Sequence, residues 1–276
     1  KHISCEKPLG LNSDESEKLL WLEKEKGIIA NCCYNIIRIP AIVYAKKIID
    51  SGELGEFVCF RGSYDNDRLV DPKSPFEWRM SKKNASGGSL CDLAINILAV
   101  SQFLVGDITS VCGMTNVIHK KRKDLKGNII EVENDDIAQF ICEYKNGAMG
   151  YIASNRVAPG SKQDMKFEIH LTKGAIKFSL ECMNEIMIYK VGNNGYSIVI
   201  SDENGWFCKG YEELKILDTQ ILLNNIKNGV QSDTDFHFAT KIDCIIESIL
   251  KSANEKKWIN IKDEYSYEGK NNKIYK

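Results

Sequence analysis

Ile28-Ile29-Ala30-Asn31-Cys32-Cys33-Tyr34-Asn35-Ile36-Ile37-Arg38-Ile39-Pro40 is the stretch on which the fold turns. Ile28 to Cys33, broken only by the polar Asn31, is an apolar run of strand length, the pattern of a parallel strand covered on both faces. Pro40 stands where the first residue of a helix would, and Ala41 to Ser51 continues to a stop at Gly52. Upstream, His2 to Cys5 is another short strand, and Asn12-x-x-Glu15 is a capping signal for a helix running to about Lys26, closed by Gly27. The order is strand, helix, strand, helix, half of a doubly wound sheet. Such a unit alone leaves its sheet edges open, so we expect its neighbouring strands to be missing from this chain, which would then be either a fragment or a naturally reduced protein.

Past Glu56 the pattern changes. Phe57 to Tyr64 reads as a strand, followed by a polar loop to Ser86. Gly87-Gly88 opens a strongly apolar helix over Ser89 to Val105. Strands are then expected at Ser110–Ile118, Asp136–Tyr144, Ala148–Asn155, Met165–Leu171, Ala175–Leu180 and Glu185–Val191, with hairpin turns at Lys145-Asn146-Gly147 and Lys173-Gly174. Amphipathic helices follow at Tyr211–Asn228 and Phe236–Ala253, then a strand around Trp258–Ile261. The reading is α/β (residues 1–55) followed by α+β (residues 56–276), the latter a large, predominantly antiparallel open sheet with helices on one face.

Composition narrows the function. The 276 residues carry 37 Lys+Arg against 38 Asp+Glu, so there is no global field to attract nucleic acid or an anionic membrane. The densest basic run, His119 to Lys123, reads as a solvated loop. Of ten cysteines none has CxxC spacing, and most sit among apolar neighbours, as buried free thiols do in a reducing cytosol. No apolar run approaches membrane-spanning length. A cytoplasmic protein is expected.

The order of motifs resembles the Gfo/Idh/MocA oxidoreductases from Glu6 to Ile261. Glu6-Lys7-Pro8 is similar to the family's E-K-P at a Rossmann strand end. Tyr34 to Pro40 is similar to its F-N-x-R-R-x-P, and Gly52-Glu53-Leu54-Gly55-Glu56 to its entry into the sheet domain. Trp78-Arg79 with Gly87-Gly88-Ser89-Leu90-Cys91-Asp92 is similar to its W-R and G-G-x-L-x-D-x-G-x-H. The family's glycine-rich G-x-G-x-x-G turn occurs nowhere in the chain. Residues 1–55 would therefore be the C-terminal remnant of the Rossmann domain. The resemblance implies NAD or NADP as cofactor, a sugar, inositol or related polyol as substrate, and a homodimer or homotetramer formed through the open sheet.

Hydride transfer from a carbinol needs a base for the hydroxyl proton and charge to steady the oxygen. Lys7, just past a strand end, would point into the crevice at the carboxyl edge of the sheet, and in the family the matching lysine takes part in proton transfer. Alone it would be a solvated turn residue. Asp92, in an otherwise apolar helix, must be paired, hydrogen-bonded or facing a wet cleft; pairing with Lys7 would hold the relay. Without that partner it is a first-turn aspartate favoured by the helix dipole. Asn96, one turn on, is the departure: the family has His there, and Asn does not titrate. Lys7, Asp92 and Asn96 are the catalytic and substrate-binding candidates. Glu6, Pro8, Asn35, Arg38, Trp78 and Arg79 are expected on the cofactor side, with Arg38 equally placed for a structural ion pair. Arg156, at a strand end, would border the substrate or serve the strand alone. Asn96 also leaves open a weakened member acting as a ligand sensor or protein-interaction subunit.

Overall fold

The computed structural model describes residues 1–200 and 210–262; Cys208 and the polar tail lie outside them. Strand β1 (Ile3–Cys5) pairs in parallel with β2 (Ala30–Cys32), joined by α1 (Ser13–Lys26). Asn12 caps α1 by accepting from Glu15 N at 3.0 Å, and Gly27 closes it at a φ of 57°, a conformation open to residues without a Cβ. A 3₁₀ turn over Asn35–Arg38 then feeds α2 (Pro40–Asp50), with proline at its first position as expected.

The remainder forms a nine-stranded sheet. In chain order its strands are β3 (Phe57–Asp65), β4 (Ile108–Asn116), β7 (Ile137–Tyr144), β8 (Met149–Asn155), β9 (Asp164–Leu171), β10 (Gly174–Ser179), β11 (Glu185–Lys190), β12 (Ser197–Ile200) and β13 (Ile259–Asn260). They lie side by side as β12-β11-β10-β9-β3-β8-β7-β4-β13. Every pairing is antiparallel except β3 with β8. A separate ribbon, β5 (Lys121–Lys123) with β6 (Ile129–Glu131), corrects the solvated-loop reading of residues 119–123. The helix expected over Ser89–Val105 is also revised. Leu90–Ala94 is a π turn, and only α3 (Ile95–Val105) is α-helical.

The helices α3, α4 (Tyr211–Asn228) and α5 (Phe236–Glu255) complete the fold. One buried cluster runs from Leu9, Leu20, Ile36 and Ile42 through α3 to Phe60, Ile152 and Ile169 of the sheet and Ile242, Ile245 and Ile249 of α5. Burying each such aliphatic side chain contributes about 1.5–3 kcal/mol. Residues 1–55 therefore share their core with the sheet. Among the described residues no helix is long and apolar enough to cross a membrane.

Candidate functional site

Lys7 lies beyond the tip of β1, and Leu9, buried in the core, anchors the turn that follows it. Its Nζ donates to the Asp92 carbonyl oxygen at 2.9 Å and stands 4.0 Å from Asp92 Oδ1. Burial lowers the Lys7 pKa, opposed mainly by the nearby Asp92 and Glu6 carboxylates. Glu6, Lys7, Pro8, Trp78, Arg79 and Asp92 line one cleft of about 320 Å³.

The Asp92 carboxylate is shared. Arg79 Nε stands 3.7 Å from Oδ1 and Arg68 Nη2 3.6 Å from Oδ2. The Arg79 guanidinium also lies over the Trp78 ring, 4.3 Å from its centroid. Asp92 is placed by its π turn, which Asp135 holds from the outside. Asp135 Oδ1 accepts from Gly88 N at 2.7 Å, and its Oδ2 accepts from Leu90 N and Ser89 Oγ at 2.9 and 2.8 Å. A carboxylate there satisfies orphan amides and complements the helix dipole. Glycine is required at 88, because a Cβ would sit 1.9 Å from the Asp135 carbonyl oxygen. Asn134 fixes the opposite wall by donating to Arg79 O and Ala85 O at 3.0 and 2.9 Å.

The other expected site residues are placed differently. Asn96 Nδ2 is spent on the Asp92 and Leu93 carbonyls at 2.9 and 3.4 Å, and the residue is not part of the cleft wall. Asn35, on the 3₁₀ turn after β2, is also outside it. Arg38 is buried: its Nε donates to Asp218 at 2.9 Å and its two terminal nitrogens to Asp233 at 2.7 Å each. The guanidinium is consumed in tying the 3₁₀ turn to α4 and to the loop before α5. Arg156 is 1% exposed and donates to Asp136 Oδ1 at 2.9 Å and Asn134 O at 3.2 Å, so it faces the interior and not a substrate. None of the four histidines lines the cleft.

Arg68, Asp135 and Asp243 were not foreseen. Arg68 stands in a polar loop without periodicity, and Asp135 and Asp243 act on groups far from them in sequence. Asp243, on α5, accepts from Gly10 N at 3.1 Å and Ser16 Oγ at 2.6 Å, fixing the turn that lines the cleft beyond Pro8. Burial pushes its carboxyl pKa up to about 7 against the pull of those two bonds, while the unfolded value is about 3.9. The folded chain thus holds this proton more tightly. Stability from it is complete below the unfolded pKa and is lost as pH rises through about 7. Asp243→Asn keeps an acceptor without the charge. Its urea midpoint should match the parent near pH 4 and exceed it near pH 8; parallel curves at both ends of the range would reject this origin of the pH dependence.

Comparison with known proteins gives concordant matches. Residues 42–177 match the GFO/IDH/MocA C-terminal domain. Levoglucosan dehydrogenase of Pseudarthrobacter phenanthrenivorans is 29% identical over 95% of this chain and 74% of its own length. The scyllo-inositol 2-dehydrogenase (NAD(+)) of Bacillus subtilis is 26% identical over 83% of this chain, which spans 61% of it. Among solved structures, levoglucosan dehydrogenase in complex with NADH and L-sorbose superposes with a TM-score of 0.91 at 30% identity, covering 95% of this chain and 74% of that one.

Proposed function

Since the chain belongs to the GFO/IDH/MocA family of oxidoreductases, we propose that it is an NAD(P)-dependent dehydrogenase moving a hydride between the nicotinamide and a hydroxyl or carbonyl carbon of a sugar, inositol or related polyol. The observation that carries this reading is the meeting of Lys7 and Asp92 at one cleft, with Nζ 2.9 Å from the Asp92 carbonyl.

The cleft suits the reactive end of such a cofactor. Its volume of about 320 Å³ admits a flat ring, Pro8, Leu9 and Cys91 give apolar walls, and Trp78 with Arg79 presents a flat cationic edge. When bound, the nicotinamide supplies the hydride acceptor or donor. Lys7, its ammonium weakened by burial, takes the hydroxyl proton on Nζ as the alcohol is oxidised and returns it in the reverse direction. Asp92 holds Nζ at the cleft. Arg68 and Arg79 draw part of the Asp92 charge away, which keeps Lys7 able to release its proton. Asn96 secures the π turn and moves no proton. Glu6, Pro8, Trp78 and Arg79 form the cofactor side, with residues 1–55 as the cofactor-side unit and residues 56–276 as the sheet unit.

The open sheet face leaves Met114, Ile141, Met149 and Tyr151 exposed beside a depression of about 480 Å³ lined by Arg61, Lys166, Glu168 and Lys177. A second copy of the chain is the proposed occupant, as a homodimer or a pair of dimers. Light scattering reads this directly, and a monomer at assay concentration rejects it.

The activity is tested with NAD and NADP across a panel of aldoses, inositols and anhydrosugars, following reduced nicotinamide by absorbance. Reduction is expected with at least one of them. Cofactor binding without turnover on any would overturn the proposal.

A further inference from the structure

One member of the basic run His119 to Lys123 takes no part in the chemistry above and yet is not solvated. Arg122, on β5, is 2% exposed. Its Nη1 donates to Asp71 O at 2.7 Å and Ser74 O at 3.1 Å, and its Nη2 to Leu69 O at 2.7 Å. A planar fork thus gathers three carbonyls of one loop. The same loop is tied further by His119 Nε2 against Val70 O at 3.1 Å and by Phe76 N donating to Lys123 O at 2.7 Å. Beneath it Leu69, Met80 and Val132 form a small cluster separate from the main core.

Arg68 immediately precedes the clamped segment. Its Nη1 donates to Glu77 Oε2 at 2.8 Å and its Nη2 lies 3.6 Å from Asp92 Oδ2. On the other oxygen of that carboxylate stand Arg79 at 3.7 Å and Lys7 at 4.0 Å. When several cations share one anion, the share left to each depends on where the others stand. The charged and titratable groups acting on Lys7 are Asp92, Glu6, Arg79 and Cys91; Arg68 reaches it through Asp92.

We propose that Arg122 is a positioning residue: by clamping the loop from Leu69 to Ser74 it fixes Arg68 against Asp92, and so sets how much of that carboxylate is left for Lys7. The inference rests on Lys7 and Asp92 as the reacting pair. The readout is the titration of Lys7, followed by NMR of its labelled ε-carbon, beside the pH dependence of kcat/KM. Arg122→Lys keeps a buried cation but not the fork, so the fold survives while the loop loosens. Lys7 should then titrate at higher pH, with the ascending limb of kcat/KM moving the same way. Arg68→Met should do likewise, and the double variant should move no further than Arg68→Met alone. Arg122→Lys lowering the urea midpoint with Lys7 unmoved would make the clamp merely structural, and additive shifts would rule out action through Arg68. Turnover absent on every sugar, with the Lys7 shift intact, would reject the dehydrogenase reading and leave the clamp standing.

Discussion

Lys7→Met is expected to lower kcat by about 10²–10⁴-fold, the usual worth of a positioned acid or base, while the protein folds as before. The side chain makes its hydrogen bond to the Asp92 carbonyl at a cleft wall, and that oxygen keeps a second donor in Asn96 Nδ2 at 2.9 Å. Arginine at this position separates charge from proton transfer. It preserves a cation but cannot give up a proton near neutral pH, so Lys7→Arg should be as inactive as Lys7→Met. Retention of activity by Lys7→Arg would reduce the role of Lys7 to electrostatics. With Lys7 as the proposed base, alcohol oxidation runs through the neutral amine, so kcat should rise with pH through the Lys7 pKa, which burial has lowered. That limb should vanish in both variants.

Arg156→Met should cost about 3–5 kcal/mol of folding stability, the range for stranding one member of a buried ion pair. Both partners are 1% exposed, and Asp136 Oδ2 also accepts from Ile118 N and His119 N at 2.8 and 3.1 Å. The aspartate would remain buried with its ion-pair partner gone. Against a total of roughly 5–15 kcal/mol for a folded domain, this is the most damaging single change proposed. Arg156→Met with Asp136→Asn should recover part of the loss, because no full charge is then stranded. Urea unfolding of the two variants decides it, and equal losses would show that packing around Arg156, not its charge, matters.

Lys7 and Asp92 could be found in the sequence because both stand at ends that local signals mark: a strand running into Glu6-Lys7-Pro8, and a glycine pair opening an apolar helix. The sheet strands were legible from alternation and hairpin turns, which also explains the errors. Alternation is the same for parallel and antiparallel neighbours, so the pairing of β3 with β8 left no trace. Three-residue strands such as β5 have no period, and a guanidinium satisfied by loop carbonyls looks like any other basic residue. The π turn depends on Asp135, some 45 positions further along. The buried partners of Arg38 and Arg156 are likewise set by tertiary contacts. Asn96 spends its amide on the carbonyls of the preceding turn, a bond that residue spacing does not reveal.

β3 sits near the middle of the sheet, flanked by β8 and β9. Both flanking strands leave the ribosome long after it, β8 after 83 intervening residues and β9 after 98. At translation rates of about 5–20 residues per second, this strand waits several seconds with both edges bare. Its Phe57-Val58-Cys59-Phe60 segment is apolar and without charge. Nascent chains should therefore be at greatest risk of sticking to one another, and most in need of chaperone shelter, in the interval before β9 emerges.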